Sequence, residues 1–123
     1  IPMVDGGVCD AIPIQRAIDD GFSKNVIILT RNKGYRKKDK NFYLPGFIYK
    51  QYPAIREQLK LRYKRYNEVL DYIDQLEAEG KAFVIRPENK MEVGRTESNP
   101  EKLEALYNEG YALAARLFSG KHE

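Results

Sequence analysis

The residues best suited to chemistry lie near the start of the chain, where a carboxylate is followed by two glycines. Ile1 to Val4 predict a short strand, and Asp5 would stand at its carboxyl end, where open α/β sheets place their ligand sites. Gly6 and Gly7 can adopt positive φ and leave no Cβ in the way of a substrate. Asp5 is therefore a candidate catalytic base, although an ordinary tight turn uses the same residue types.

Other catalytic chemistries are restricted by the single cysteine, Cys9, and the single histidine, His122. One cysteine cannot form an internal disulfide, and these two residues cannot assemble a zinc site of Cys and His ligands, so we expect no metal and no cofactor. Cys9 beside the glycines is more typical of a small buried side chain than of a nucleophile. His122 lies in a polar tail, so hydrolysis here would have to proceed without a triad histidine.

Composition limits the class of protein. The 123 residues are the size of one domain, and a charged fraction of 32% with a mean hydropathy of −0.62 leaves no room for a membrane span. A single cysteine and the lack of a signal-peptide pattern favour a cytoplasmic location. Because Ile1 replaces an initiator methionine and opens directly into a predicted strand, we expect a fragment or a processed product.

The elements that would position Asp5 follow from the apolar pattern. Pro13 to Gly21 predicts a short helix, and Val26 to Leu29 is typical of a strand covered on both faces of a parallel sheet. Together with the first strand this is a βαβ unit, which would bring Asp5 and Thr30 to the same sheet edge. The glycine at position 21 is the expected helix stop.

The second half of the chain predicts two more helical segments and a third strand. An apolar stripe from Ile55 to Leu76 indicates one long amphipathic helix or a broken pair, with Gly80 as its C-terminal stop. A strand over 82–85 and a last helix follow, with Ser98 as the expected cap of that helix. The predicted segments are 1–30 as the βαβ unit with Asp5, 31–53 as a basic and aromatic loop, 54–80 as the long helical segment, and 81–120 as a strand plus the terminal helix.

Positive charge is concentrated between Arg31 and Lys40, where six basic residues face one acidic residue. Aromatic residues follow at once, and basic groups beside aromatic rings suit an anionic membrane surface. Nucleic acid is a rival partner, and a solvated loop with its rings packed inward is an equally good explanation. The candidate membrane-contact residues are Lys33, Arg36, Lys37, Lys38 and Lys40, and the aromatics are Phe42, Tyr43, Phe47, Tyr49 and Tyr52.

The segment from Val4 to Ile14 resembles the Asp-Gly-Gly block of the bacterial patatin-like phospholipases, in which glycines, a small loop and a proline-led helix follow a strand-end aspartate. Further segments resemble the carboxyl-terminal part of these proteins in the same order, so the likeness covers nearly the whole chain. They are Val26 to Thr30, Lys33 to Lys38, Arg65-Tyr66-Asn67, Ala82 to Pro87 and Asn99 to Leu103.

The resemblance implies a three-layer α/β/α fold with a mainly parallel sheet, present here as a partial domain with about three strands and a long helix or helix pair. It implies a lipid acyl hydrolase that uses a serine–aspartate dyad without histidine and acts on phospholipids or other acyl-ester lipids. By the motif match Asp5 would be the dyad aspartate, and Gly6 and Gly7 would shape the substrate site. Such a protein would be cytoplasmic, with peripheral contact at the inner membrane face and no nucleic-acid partner.

The chain departs from this family because it contains neither a nucleophile elbow nor a glycine-rich oxyanion loop. The segment around Ser23 joins a helix to a strand, which is the reverse of an elbow. We therefore expect the nucleophile to lie upstream and this chain alone to be inactive. An exposed sheet edge predicts association with itself or with the upstream part. The alternative is a non-enzymatic α/β module that binds anionic membranes or RNA through 31–40.

Overall fold

The structure is a computed structural model that describes residues 3–39, 45–90, 93–94 and 96–119. Its elements, in chain order, are a 3-10 turn at Gly6–Val8, helix α1 at Ile14–Asp19, strand β1 at Asn25–Ile28, helix α2 at Pro53–Ala78, strand β2 at Ala82–Ile85 and helix α3 at Pro100–Ser119. The chain divides into two compact units. The first unit is Ile1–Asn25 with Arg36–Ala82, and the second unit is Val26–Tyr35 with Phe83–Glu123.

The sheet consists of two parallel strands, β1 and β2, which gives the chain a small α/β content as predicted. Beyond the last residue of β1, the Leu29 N–H donates to the carbonyl of Ile85 at 2.8 Å. Ile27 and Leu29 are buried, whereas Ile28 between them is 73% exposed. The expectation that this strand is covered on both faces is therefore wrong within the second unit, because successive side chains point to opposite faces and only one face is buried.

The predicted first strand does not form at Met3 or Val4. Both residues are exposed, Met3 to 89%, and neither joins the sheet; Ile1 and Pro2 lie outside the described residues. A strand needs a neighbour to satisfy its backbone groups, and the described part of the chain offers none here. The described sheet thus has two strands rather than about three, and Asp5 follows an irregular segment.

Glycine ends the first two helices, as predicted. At the end of α2, Gly80 has φ 69°, the left-handed conformation that glycine adopts without a Cβ penalty. The N–H of Lys81 donates to the carbonyl of Leu76 at 2.9 Å, and the N–H of Gly80 donates to that of Glu77 at 3.1 Å. This pair of bonds is a Schellman motif, which satisfies carbonyls that the helix leaves open. Gly21, at φ 96°, follows α1 in the same way.

Helix α2 is one continuous element of 26 residues, not a broken pair. Leu70, Ile73 and Leu76 on its apolar stripe are buried, and Ile73 is fully inaccessible. On its outer face the Lys64 Nζ and a Glu68 carboxylate oxygen lie 3.9 Å apart, at the expected i,i+4 spacing. No helix among the described residues is both long and apolar enough to cross a membrane.

The cap of α3 is Asn99 and not Ser98 as expected. The Asn99 Oδ1 accepts the N–H of Glu101 at 2.9 Å, because the residue just before Pro100 is the one whose side chain can reach the open amides of the first turn. Glu97 accepts the N–H groups of Ser98 and Asn99. The hydrogen bond from the Asn99 N–H lowers the pKa of Glu97 below its usual value, and the positive charge of Lys102 acts in the same direction.

Candidate functional site

Asp5 begins the 3-10 turn and is fixed by it. Its Oδ1 accepts the N–H of Gly7 at 2.6 Å, and its carbonyl accepts the N–H of Val8 at 3.0 Å. The residue is exposed, and its Oδ2 accepts no hydrogen bond from the described residues. One carboxylate oxygen is therefore held by the backbone while the other is open to a ligand or to a second side chain.

The turn requires glycine at only one of the two positions, Gly6 and Gly7. Positive φ among the described glycines occurs at Gly21, Gly34 and Gly80, so Gly6 and Gly7 form the turn without the conformation expected of them. A Cβ on Gly7 would lie 3.0 Å from the Asp5 Oδ1 and 3.6 Å from the Arg62 Nη2, whereas a Cβ on Gly6 would meet nothing within 4 Å. Close approach of the Asp5 carboxylate thus explains glycine at position 7 only.

Exchanging each glycine for alanine tests this difference. Gly7→Ala should push the Asp5 carboxylate off the Gly7 amide and open the turn, raising amide hydrogen exchange at Val8 and Cys9 about fivefold, the equivalent of 1 kcal/mol. Gly6→Ala is the matched control, because both changes reduce the freedom of the unfolded chain equally. Equal exchange rates in the two variants would contradict the role given to close approach.

Helix α2 holds the turn from the opposite side. The Arg62 Nε donates to the carbonyl of Gly7 at 2.9 Å, across 55 residues of sequence. Arg62, Arg65, Tyr66 and Val69 lie on one helix face and, with the segment 7–12, line a small pocket that has room for about one water molecule. Sequence reasoning missed Arg62 because an arginine on a long amphipathic helix has the same signature as any solvated charge.

The same stretch of α2 binds part of the basic segment. The N–H of Lys37 donates to the Asn67 Oδ1 at 2.7 Å, and the Asn67 Nδ2 donates to the carbonyl of Lys37 at 2.9 Å. The Lys37 Nζ lies 5.2 Å from the centre of the Tyr66 ring, and the Arg36 guanidinium forms an ion pair with Asp71. Arg36 and Lys37 are thus attached to the helix, a role that the sequence did not indicate.

The remaining basic candidates are Lys33, Lys38 and Lys40. Lys33 and Lys38 are exposed, while Lys40 lies outside the described residues, as do Phe42 and Tyr43. Phe47, Tyr49 and Tyr52 are exposed rather than packed inward, so this part of the solvated-loop interpretation is wrong. Phe47 lies on a turn whose carbonyls at Pro45 and Ile48 accept hydrogen bonds from Arg56 of α2, at 2.9 and 2.5 Å.

The second unit contains a larger concavity, an apolar groove of about 430 Å³. It runs along α3 and the carboxyl ends of β1 and β2, where parallel sheets place their ligand sites. The Glu109 Oε1 is buried there and accepts no hydrogen bond from the described residues. Its lining includes Ile28, Pro87, Leu106, Tyr107, Tyr111 and Leu113.

Cys9 supplies a nucleophilic side chain among the residues that line the small pocket beside the Asp5 turn. None of the three serines lines it, and the Ser119 hydroxyl donates to the carbonyl of Ala115. Cys9 is exposed and not buried as expected, because the 3-10 turn directs Val8 rather than Cys9 inward. Within the described ranges, no three His, Cys, Asp or Glu side chains are grouped as a metal site requires. The Asp5 turn thus presents a carboxylate, and no serine lines the pocket beside it.

Comparison with known proteins identifies a family for this chain. No curated protein and no solved structure matched the chain. A family model described as a domain of unknown function, DUF6363, matches residues 52–119, which include all of α2, β2 and α3. Because this match covers more than half of the 123 residues, the chain belongs to the DUF6363 family.

Proposed function

We propose that this chain supplies the aspartate of a serine–aspartate dyad in a lipid acyl hydrolase of the patatin-like type, and that the serine comes from sequence outside this chain. The observation that carries the proposal is the state of Asp5. Its Oδ1 is fixed by the Gly7 amide at 2.6 Å, the residue is exposed, and its Oδ2 accepts no hydrogen bond from the described residues. A general base must be held rigidly and still reach the proton that it takes, and Asp5 meets both requirements.

The chemistry would proceed in two acyl-transfer steps. The serine hydroxyl donates a hydrogen bond to the Asp5 Oδ2 and passes its proton there as its oxygen attacks the ester carbonyl carbon. The carbon–oxygen bond to the alcohol then breaks, and Asp5 returns the proton to the departing alkoxide. Water then attacks the acyl carbon while its proton passes to Asp5. The bond between the acyl carbon and the serine oxygen breaks, the fatty acid leaves, and Asp5 returns the proton to the serine oxygen. No histidine takes part in either step.

Two further features support an acyl-lipid substrate. The groove of the second unit is lined by aliphatic and tyrosine side chains and has the size typical of small-ligand sites. Exposed Lys33 and Lys38 supply positive charge for an anionic headgroup layer at the inner face of the cytoplasmic membrane. The second unit also leaves apolar side chains exposed, among them Ile28 and Tyr111. This exposure favours association with a second copy or with upstream sequence.

The proposal is tested on the complete polypeptide that contains this chain. Fluorogenic acyl esters should be hydrolysed, and a fluorophosphonate probe, which labels activated serines, should react with one serine located outside this chain. Labelling of Ser23, Ser98 or Ser119 would overturn the assignment of the nucleophile. A protein that neither hydrolyses esters nor takes up the probe would instead favour the non-enzymatic module.

Contact with an anionic surface has its own test. Replacing Lys33 and Lys38 together by alanine should weaken sedimentation with vesicles of mixed neutral and anionic lipid about 30-fold, at about 1 kcal/mol for each lysine. Lys24 and Lys90, which are exposed and lie outside the basic segment, provide a control double variant with the same loss of charge. Equal binding to purely neutral vesicles would show that charge does not drive the contact.

A further inference from the structure

We propose that Arg62 of α2 is a positioning residue for Asp5, acting through the peptide groups of Gly7. This inference rests on the proposed function, because it assigns Arg62 a part in the same site. It also gives the DUF6363 helix a role. Arg62 lies inside the matched region 52–119 and Asp5 lies outside it, so the helix of this family would hold a carboxylate that precedes it in sequence.

The geometry connects the two side chains through one residue. The N–H of Gly7 donates to the Asp5 Oδ1 at 2.6 Å, and the carbonyl of the same residue accepts from the Arg62 Nε at 2.9 Å. Gly7 is therefore fixed on both sides, and a shift of its backbone would carry the carboxylate with it. Misplacing a reacting group by about 1 Å can lower the rate about 10²-fold, so holding Gly7 in place can have a large effect on turnover.

Arginine is suited to this position for two reasons. Its Nε–H is directed by a planar group, so the bond to Gly7 sets both distance and direction, which a flexible ammonium would not do. A Cβ placed on Gly7 would also lie 3.6 Å from the Arg62 Nη2 and 3.0 Å from the Asp5 Oδ1. The guanidinium and the carboxylate are therefore no farther apart than the sum of these two distances. The guanidinium thus places a positive charge beside the Asp5 carboxylate, which a neutral donor would not supply.

The helix that carries Arg62 is itself firmly held. Leu70, Ile73 and Leu76 are buried about two to four turns further along it, and the Schellman motif at Gly80 closes its end. Arg62 is half-buried, and its neighbours Tyr66 and Asn67 bind Lys37 from the basic segment. The guanidinium therefore projects from a rigid support, as a positioning residue must.

The experiment compares Arg62→Ala, Arg62→Lys and Lys60→Ala in the complete protein. Arg62→Ala should lower kcat for a fluorogenic acyl ester about 10- to 100-fold with KM within twofold, because the carboxylate is misplaced and the substrate is not contacted. Arg62→Lys should recover part of kcat, since lysine keeps the charge and a donor. Lys60→Ala removes an exposed cation from the same helix and should leave kcat unchanged.

Amide hydrogen exchange at Val8, Cys9 and Asp10 provides a readout that does not depend on turnover. Exchange there should accelerate in Arg62→Ala and not in Lys60→Ala, because these three amides donate within the turn that Arg62 holds. Unchanged exchange, or a rise in KM alone, would overturn the positioning role. If the wild-type protein hydrolyses no ester, the proposed function fails, and the exchange rates still decide whether Arg62 fixes the Asp5 turn.

Discussion

Asparagine in place of Asp5 should reduce kcat for acyl-ester hydrolysis by the complete protein about 10²- to 10⁴-fold, the usual contribution of general acid–base catalysis. The loss comes from proton transfer and not from a change in the turn. The side-chain carbonyl oxygen of the asparagine can still accept the Gly7 N–H that Asp5 accepts at 2.6 Å, so the turn is retained. An amide oxygen is a far weaker base than a carboxylate, so the asparagine cannot take up the serine proton. Steady-state kinetics with a fluorogenic ester measures the loss.

Two controls make this result interpretable. Asp19→Asn removes a carboxylate from α1 that accepts a hydrogen bond from Gln15, and kcat should stay within twofold of wild type. Fluorophosphonate labelling should slow in Asp5→Asn as kcat does, because the unassisted serine is a weak nucleophile. Retention of most turnover by Asp5→Asn would show that Asp5 only caps the 3-10 turn, which is the structural role that its bond to Gly7 would have in any protein.

Truncating Ile73 should have the largest effect on stability. Ile73 has no accessible surface, so Ile73→Ala leaves a cavity in addition to the lost burial and should lower the free energy of unfolding by about 2–5 kcal/mol. Urea denaturation followed by circular dichroism measures the change. Ile28→Ala is the matched control, since the same atoms are removed from a side chain that is 73% exposed, and its effect should stay below about 1 kcal/mol.

The Ile73 result also bears on the site. Ile73 lies on the same helix as Arg62 and in the same unit as Asp5, so loosening α2 should also loosen the bond that holds Gly7. Amide exchange at Val8 should therefore rise in Ile73→Ala and not in Ile28→Ala. Similar stability losses in the two isoleucine variants would mean that α2 is not buried as described and would remove the rigid support assigned to Arg62.

Features set by short-range chemistry could be predicted from the sequence. Gly21 and Gly80 end helices at positive φ because no other residue adopts that conformation as cheaply, and the steps of three and four residues from Ile55 to Leu76 produce one long helix. The apolar runs at Val26 and over 82–85 became strands because their β-branched side chains favour an extended backbone. These preferences act within a few positions along the chain, and pairing of the two strands with each other completes the sheet.

Features that depend on residues distant along the chain could not be predicted from the sequence. Whether a strand forms at Met3 depends on a partner strand, and whether Ile28 is covered depends on what packs on that face of the sheet; the described residues provide neither. Ser98 and Asn99 are equally good caps by type, and the exact start of α3 at Pro100 decided for Asn99. Cys9 could have faced inward or outward, and the 3-10 turn placed it at the surface.

The Asp-Gly-Gly segment shows the same division. The sequence alone determined that Asp5 would form a tight turn with the residues after it, because a short carboxylate side chain readily accepts the N–H two positions on. Only the tertiary structure decided that Arg62 would hold the far side of that turn, because a hydrogen bond across 55 residues exists only after α2 has packed in the first unit. Local chemistry made the carboxylate available, and a distant helix fixed where it lies.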